Sequence, residues 1–248
     1  MEKIWNALEK FWNAIVENLA FLGVCLLVFL LVFFLAWGFE RLNRRRSGAA
    51  PQAISRPRYI AVLGMCAATA ALLMFLEVPL FFAPSFYKLD FSEIPVLVCA
   101  FAMGPTAGVL CEFLKVLLKL LFKGTTTAFV GDFSNFIIGC TLVLPASMLY
   151  CWRKTKKRAA VGLLLGTLCM TIFGSALNAF YLIPQYVRLF GMPLETIIGM
   201  GAAVNSAINS VSTLVLFAVV PFNLLKGAAV SIITLLIYKH IKPILIRS

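Results

Sequence analysis

The chain has 248 residues, of which 62% are hydrophobic and 13% are charged. Soluble domains contain about 45–50% apolar residues, so this composition excludes a soluble globular protein and predicts an all-α integral membrane protein. The net charge of +12 would indicate a nucleic-acid partner in a soluble protein. Here the basic residues stand between apolar segments, as the positive-inside rule expects of cytoplasmic loops, and we predict no nucleic-acid partner.

The sequence lacks the residue patterns that metal sites, disulfides and common enzyme active sites require. The seven cysteines are scattered without a C-x-x-C pair, and the one histidine is His240, so we predict neither disulfides nor a metal site. The sequence contains no G-x-x-x-x-G-K-[ST] phosphate loop and no H-E-x-x-H, and we predict no catalytic residue. One enzyme hypothesis stays open, a membrane enzyme that modifies lipids through Glu112 or Asp132.

The sequence of the N-terminal part predicts an interfacial helix followed by a membrane span. Residues 2–17 have one apolar and one charged face, typical of a helix lying at the membrane interface. Residues 19–38 form an apolar run long enough to span the bilayer and too long for a signal peptide. The arginine-rich segment 39–58 then predicts a cytoplasmic linker, which places the N-terminus outside and divides the chain into 1–38, 39–58 and 59–248.

The remaining apolar segments can be threaded alternately through the membrane. This gives one plus six spans, with a second basic cytoplasmic loop near residues 153–158 and a cytoplasmic C-terminus. The segment 93–103 is shorter than the roughly 20 residues of a full span, which indicates a broken or tilted helix. Residues 184–212 are predicted as an external excursion with a short helix. The predicted core spans are 59–77, 93–103, 106–122, 129–150, 159–181 and 213–238.

Polar residues gather at one depth in this topology. Each ionisable group inside a membrane costs about 2.5–3.5 kcal/mol on insertion scales, so such groups usually face a cavity or a partner. Single residues can instead join helices or extend to the headgroups, but five segments bring polar groups to the outer half of the membrane. We therefore predict a binding cavity formed by Asp90, Glu93, Lys119, Thr126, Asn135, Asn178, Asn223 and Lys226.

A stripe of small residues marks the first core span. Ala61, Gly64, Ala68 and Ala71 lie on its inner half and allow another helix to approach closely. This pattern fits either packing inside the protein or docking of another membrane protein. We predict docking, because the stripe and the polar cavity lie at different depths.

Five sequence motifs resemble those of one transporter family. They are Lys88-Leu-Asp-Phe-Ser-Glu-Ile-Pro, Gly104-Pro-Thr-Ala-Gly-Val, Lys123-Gly-Thr-Thr-Thr-Ala, Val130-Gly-Asp-Phe-Ser-Asn-Phe and Val220-Pro-Phe-Asn-Leu-Leu-Lys-Gly. In this order they are similar to the riboflavin-specific S components (RibU) of energy-coupling factor (ECF) transporters over about residues 59–240. The resemblance implies a six-helix S-component bundle in the plasma membrane, to which residues 19–38 add an extra helix.

The resemblance also implies a function. A protein of this family binds riboflavin from outside as a transported ligand, has no cofactor, and works with a membrane coupling protein and two cytoplasmic ATPases. Asp132 stands where the family often has Glu, and the family gives the extra helix no role. A flavin needs aromatic walls and a few amides. The candidate walls are Phe86, Tyr87, Phe91, Phe129, Phe133, Phe180 and Tyr181. A different vitamin remains the alternative ligand.

Overall fold

The computed structural model describes residues 16, 19–47, 55–84, 87–125, 127–191 and 193–246. These residues are mostly helical, with one short antiparallel hairpin of β1 (Val78–Pro79) and β2 (Lys88–Leu89). The helices are α1 Leu19–Ser47, α2 Arg56–Phe75, α3 Glu93–Met103, α4 Pro105–Lys123, α5 Val130–Trp152, α6 Lys156–Leu177, α7 Ile183–Phe190, α8 Leu194–Ala202, α9 Val211–Leu214 and α10 Val220–Ile246.

Helices occupy all seven predicted spans. Five helical stretches among the described residues are long and apolar enough to cross a membrane; α3 is shorter. Two boundaries were wrong: α1 continues to Ser47, so residues 39–47 of the predicted linker are helical, and α7 continues to Phe190. The short helix predicted within 184–212 is present as α8. The predicted interfacial helix 2–17 lies outside the described residues, apart from residue 16.

Two π-helical segments each precede a proline. Asn178–Leu182 joins α6 to α7 directly before Ile183-Pro184, and Val215–Val219 joins α9 to α10 directly before Val220-Pro221. In a regular α-helix a proline ring collides with the carbonyl group four residues earlier. The wider π turn relieves that collision, so the chain passes both prolines without leaving the helix. This is why the helix does not end at Pro184, as the sequence prediction assumed.

Helix α3 forms the centre of the bundle. Every residue from Glu93 to Ala102 is buried, and α2, α4, α5 and α10 pack around it. Gly104, with φ of +107°, then turns the chain into α4, where Pro105 occupies the first turn. A helix enclosed by protein on all sides does not need the length that the lipid bilayer imposes on an exposed span. The short segment is therefore a central helix and not a broken one.

Helix α1 packs against the outside of α4 and α5. Its Ala36 joins an apolar cluster with Val109 and Val116 of α4 and Phe136 of α5. Glu40 Oε1 accepts a 2.8 Å hydrogen bond from the Thr106 backbone N–H, in the first turn of α4, where the helix dipole favours negative charge.

The bundle has two chemically different ends. At one end, Asn43 of α1 donates a 3.1 Å hydrogen bond to the carbonyl of Cys151 near the end of α5. This contact brings the basic last turn of α1 to the same end as the basic turn that follows α5. The beginning of α5, with Asp132, lies at the opposite end, one helix length away.

Candidate functional site

A cavity of about 150 Å³ opens at the end of the bundle opposite the basic residues. The β2 hairpin contributes Tyr87, Lys88 and Asp90, and the remaining lining residues lie on helices or on the first π segment. They are Glu93 of α3; Gly131, Ser134, Asn135 and Ile138 of α5; Met170 of α6; Asn178 and Leu182 of the π segment; Tyr186 of α7; and Phe222, Asn223 and Lys226 of α10.

A buried ion pair crosses the cavity. Lys226 Nζ donates a 2.7 Å hydrogen bond to Asp90 Oδ2, and both side chains are more than nine-tenths buried. The other oxygen, Asp90 Oδ1, accepts hydrogen bonds from the backbone N–H and the hydroxyl group of Ser92. Because charges are costly to bury without partners, the pair favours a structure in which the hairpin stays against α10 at the cavity wall.

Two amide groups in the cavity have atoms without hydrogen-bond partners. Asn223 is 3% exposed, and its Nδ2 donor is unpaired; Asn135 Oδ1 is a buried acceptor that is also unpaired. Gly174 leaves room for the Asn223 amide, because an added Cβ there would lie 3.1 Å from Nδ2. Unpaired polar atoms in a buried site cost about 1–3 kcal/mol each, so the cavity offers one donor and one acceptor to a ligand.

Asn178, by contrast, has hydrogen-bond partners for both atoms of its amide. Its Nδ2 donates to the Gly174 carbonyl at 2.8 Å, and its Oδ1 accepts a 2.8 Å hydrogen bond from the Tyr87 hydroxyl. The Tyr87 ring also packs on Phe222, with ring centroids 5.6 Å apart. Tyr87 therefore ties the hairpin to two of the helices that line the cavity.

A second charged cluster lies beneath the cavity. Lys115 is fully buried, and its Nζ donates to Glu93 Oε1 at 2.9 Å and to the Ser92 hydroxyl at 3.2 Å. It also lies 2.5 Å from Glu112 Oε1, in an ion-pair contact that lacks the angles of a hydrogen bond. Among the described residues no group of three or more His, Cys, Asp or Glu could hold a metal ion.

The structure brings together six of the eight predicted site residues: Asp90, Glu93, Asn135, Asn178, Asn223 and Lys226 line the cavity. Lys119 does not, because its ammonium group pairs with Asp132 at 2.5 Å and with the Gly124 carbonyl at 3.2 Å. Thr126 lies outside the described residues. The two lysines, one helical turn apart on α4, therefore differ: Lys115 is buried beneath the cavity, and Lys119 binds Asp132 outside it.

Most of the predicted aromatic walls are elsewhere. Tyr87 lines the cavity, and Phe86 is not among the described residues. Phe180 is 85% exposed, and Phe133 packs edge-to-face on Phe21 of α1, with centroids 5.6 Å apart. Phe91, Phe129 and Tyr181 also lie outside the lining.

Two aromatic residues were missed. Phe222 directly precedes Asn223 in the last motif, so its position beside that amide could have been read from the sequence. Tyr186 was missed because the helix was predicted to end before Pro184, which placed residue 186 in an external loop. The π segment before the proline keeps Tyr186 on the helix and within the cavity wall.

Comparisons with known proteins agree with this architecture. Residues 58–238 match the family model for the ECF transporter substrate-specific component. The chain is 32% identical over 185 residues to the riboflavin transporter RibU of Staphylococcus aureus (strain TCH60), covering 75% of this chain and 90% of that protein. It is 33% identical to the riboflavin transporter FmnP of Bacillus subtilis (strain 168), covering 74% and 92%.

A solved structure has the same fold. It is described as the structure and mechanism of the S component of a bacterial ECF transporter, with a TM-score of 0.60 and 32% identity over 77% of this chain and 99% of that one. The six-helix core is therefore confirmed, and the hypothesis of a lipid-modifying enzyme was wrong. The chain belongs to the substrate-specific components of ECF transporters, and it is a plasma-membrane subunit that binds a vitamin for uptake and not an enzyme.

Proposed function

We propose that the cavity binds riboflavin from the outside of the cell. The observation that carries the proposal is the pair of unpaired amide atoms, Asn223 Nδ2 and Asn135 Oδ1, in a cavity also lined by Tyr87 and Phe222. The pyrimidine edge of a flavin alternates hydrogen-bond donors and acceptors, and its ring system packs on aromatic side chains. The relatives named as riboflavin transporters support the same ligand.

Five cavity residues are the proposed direct contacts: Asp90, Asn135, Asn178, Asn223 and Lys226. Asp90 and Lys226 provide an acceptor and a donor for the hydroxyl groups of the ribityl chain. Glu93 is proposed as part of the cavity floor, because Lys115 already holds its Oε1. We leave Lys119 out, since Asp132 occupies it outside the cavity.

Ligand entry requires the cavity to widen. Its volume of about 150 Å³ is below the roughly 300–1,000 Å³ of typical small-molecule sites. The hydrogen bond from Tyr87 to Asn178 joins two residues that line this space. We propose that the ligand displaces the Tyr87 hydroxyl and takes over Asn178 Oδ1 as an acceptor.

Titration of the purified protein with riboflavin tests the ligand. Flavin fluorescence should be quenched on binding, and protein purified from riboflavin-containing medium should be yellow. Thiamine and biotin, added in excess, should not displace the flavin. A colourless protein that binds one of these vitamins instead would overturn the choice of riboflavin and favour a different vitamin.

We also propose the energising partners of the chain and its orientation in the membrane. Membership of the ECF family implies that two cytoplasmic ATPases hydrolyse ATP and act through a membrane coupling protein; this chain has no phosphate-binding loop of its own. The basic ends of α1 and α5 lie together, which supports a cytoplasmic side there, an outward-facing cavity and an external N-terminus.

For the coupling protein we propose the docking surface formed by Ala61, Gly64 and Ala68 on α2. All three are exposed, and an added Cβ at Gly64 meets no atom within 4 Å, so no described part of the chain covers this face. Ala71, the fourth residue of the predicted stripe, is 4% exposed and packs into the bundle, so it is not part of this surface.

A further inference from the structure

The acidic groups beneath the cavity outnumber their basic partners. Three buried carboxyl groups, from Asp90, Glu93 and Glu112, face two buried ammonium groups, from Lys115 and Lys226. If all five were ionised, the cluster would carry one negative charge in excess. An uncompensated charge in a protein interior costs several kcal/mol, so the fully ionised cluster is unfavourable.

Buried carboxyl oxygens of the cluster lack a hydrogen-bond donor. Glu93 Oε2 and both carboxyl oxygens of Glu112 are buried and lack any hydrogen-bond partner. Ionised carboxylates have acceptors only, so two of them cannot satisfy each other. A proton on one carboxyl group would supply the missing donor.

The two glutamates are held close enough to share it. Both contact the same Lys115 ammonium group, at 2.9 Å from Glu93 Oε1 and 2.5 Å from Glu112 Oε1. Both carboxyl groups also lie against Gly139 of α5, where an added Cβ would overlap the Glu112 carboxyl group and lie 3.0 Å from Glu93 Oε2. A glycine at this position leaves the two carboxyl groups no separating side chain.

We propose that Glu93 and Glu112 together hold one proton in the folded protein, shared between Glu93 Oε2 and the Glu112 carboxyl group. Two carboxyl groups forced into one site generally retain a proton between them, because both cannot ionise at such short range. With this proton the cluster of Asp90, Glu93, Glu112, Lys115 and Lys226 is electrically neutral. The Cys140 thiol of α5, which is also buried beside the pair, adds no positive charge.

This proton has a consequence for the cavity. Glu93 forms its floor, and a neutral floor presents no net charge to an uncharged ligand. It also leaves Lys226 and Asp90 balanced against each other, so either can turn to a ligand without exposing an excess charge below. The shared proton is a property of the folded chain and does not depend on which vitamin is bound.

Infrared difference spectroscopy of the purified protein at pH 8, comparing spectra in H₂O and D₂O, tests the proposal. Glu in water titrates near pH 4.3, so exposed carboxyl groups are ionised at pH 8 and give no signal in the carbonyl-stretch region of a protonated acid. The wild-type protein should show one such band, which shifts in D₂O and shifts again when glutamate is labelled with ¹³C at the side-chain carboxyl carbon. Absence of this band from folded wild-type protein would overturn the proposal.

Substitutions in the cluster show which carboxyl groups give rise to this band. In Glu112→Gln the remaining two carboxylates balance two ammonium groups, so the band should disappear while the protein stays folded. Glu40→Gln and Asp132→Asn, which change buried or half-buried acids outside the cluster, should keep it. If Glu112→Gln does not fold, Glu112→Asp should move the band without removing it. A band that is the same in wild type, Glu112→Asp and Glu93→Gln would place the proton elsewhere and contradict the proposal.

Discussion

The Lys226 ammonium group lies 2.7 Å from Asp90 Oδ2, although 136 positions separate the two residues in the sequence. The contact joins α10 to the β2 hairpin across the cavity. Because both side chains line the cavity, substitution of one affects the stability of the protein as well as its ligand, and the two effects need separate measurements.

Removal of the unpaired amide should weaken ligand binding with little effect on folding. Asn223→Ala deletes a donor that has no partner in the protein, so the free protein loses no hydrogen bond from that donor, whereas the complex loses one. The expected cost is about 1–3 kcal/mol, or roughly 5- to 150-fold in the Kd for riboflavin. Asn205→Ala, an amide outside the cavity, is the matched control and should leave the Kd unchanged. An unchanged Kd for Asn223→Ala would remove this residue from the site.

The contribution of Lys226 to ligand binding has to be measured in a variant that also removes the charge of its partner Asp90. Lys226→Met alone leaves Asp90 buried without its cation and should destabilise the protein by about 3–5 kcal/mol in thermal or denaturant unfolding. The double variant Lys226→Met/Asp90→Asn removes both charges and should recover most of that stability, while riboflavin binding stays weakened at least fivefold. Recovery of binding together with stability would show that the ion pair only supports the fold.

Substitution of the buried Lys115 should lower the free energy of unfolding much more than substitution of the exposed Lys88. Lys115→Met strands two glutamates in the core and should destabilise by about 3–5 kcal/mol. Lys88→Met breaks an ion pair with Glu77 whose side chains are 47% and 25% exposed, so it should cost about 0–1 kcal/mol. Chemical unfolding in detergent compares the two, and equal losses would contradict the burial of Lys115.

The sequence was most informative where chemistry is costly in lipid. Asp90, Asn178, Asn223 and Lys226 were predicted because polar groups at one membrane depth need a common cavity. It was less informative where the outcome depends on three-dimensional packing. Lys119 follows the same helical spacing as Lys115, yet Asp132 binds it outside the cavity, and spacing alone cannot distinguish the two lysines.

Reasoning from the local sequence differed from the structure in two other places. The span was predicted over 159–181 with Pro184 in the external excursion, but a π segment before this proline keeps the helix continuous and brings Tyr186 into the cavity. The short α3 was predicted as a broken or tilted helix because its length was judged against lipid. Its ten successive buried residues, from Glu93 to Ala102, show that protein surrounds it instead.

The extra helix α1 should be dispensable for ligand binding but not for stability. No residue of α1 lines the cavity, so protein that begins at Arg56 should bind riboflavin with an unchanged Kd. It loses the Glu40 cap on α4 and the contacts of Ala36, so its unfolding temperature should fall. Glu40→Ala in the full chain isolates the cap and should cost about 0.5–2 kcal/mol, whereas Glu40→Gln keeps an acceptor and should cost less. Loss of binding by folded, truncated protein would contradict this prediction.

Substitutions on the docking surface should separate transport from binding. Ala68→Leu and Gly64→Leu add bulk to an exposed face of α2, and at Gly64 an added Cβ meets open space. Close approach of a partner helix in a membrane depends on small residues, so both variants should lose energised riboflavin uptake in cells. Purified protein should keep its Kd and its unfolding temperature, because no described contact is disturbed.

The neighbouring Ala67 provides the control. It is 1% exposed and packs into the core, so Ala67→Leu should overpack the bundle and cost about 1–3 kcal/mol of stability, with binding and uptake falling together. The two adjacent alanines thus carry opposite expectations from the same added volume. If Ala68→Leu lowered the unfolding temperature and riboflavin binding as Ala67→Leu does, the stripe would be a packing surface within the bundle and the docking proposal would fail.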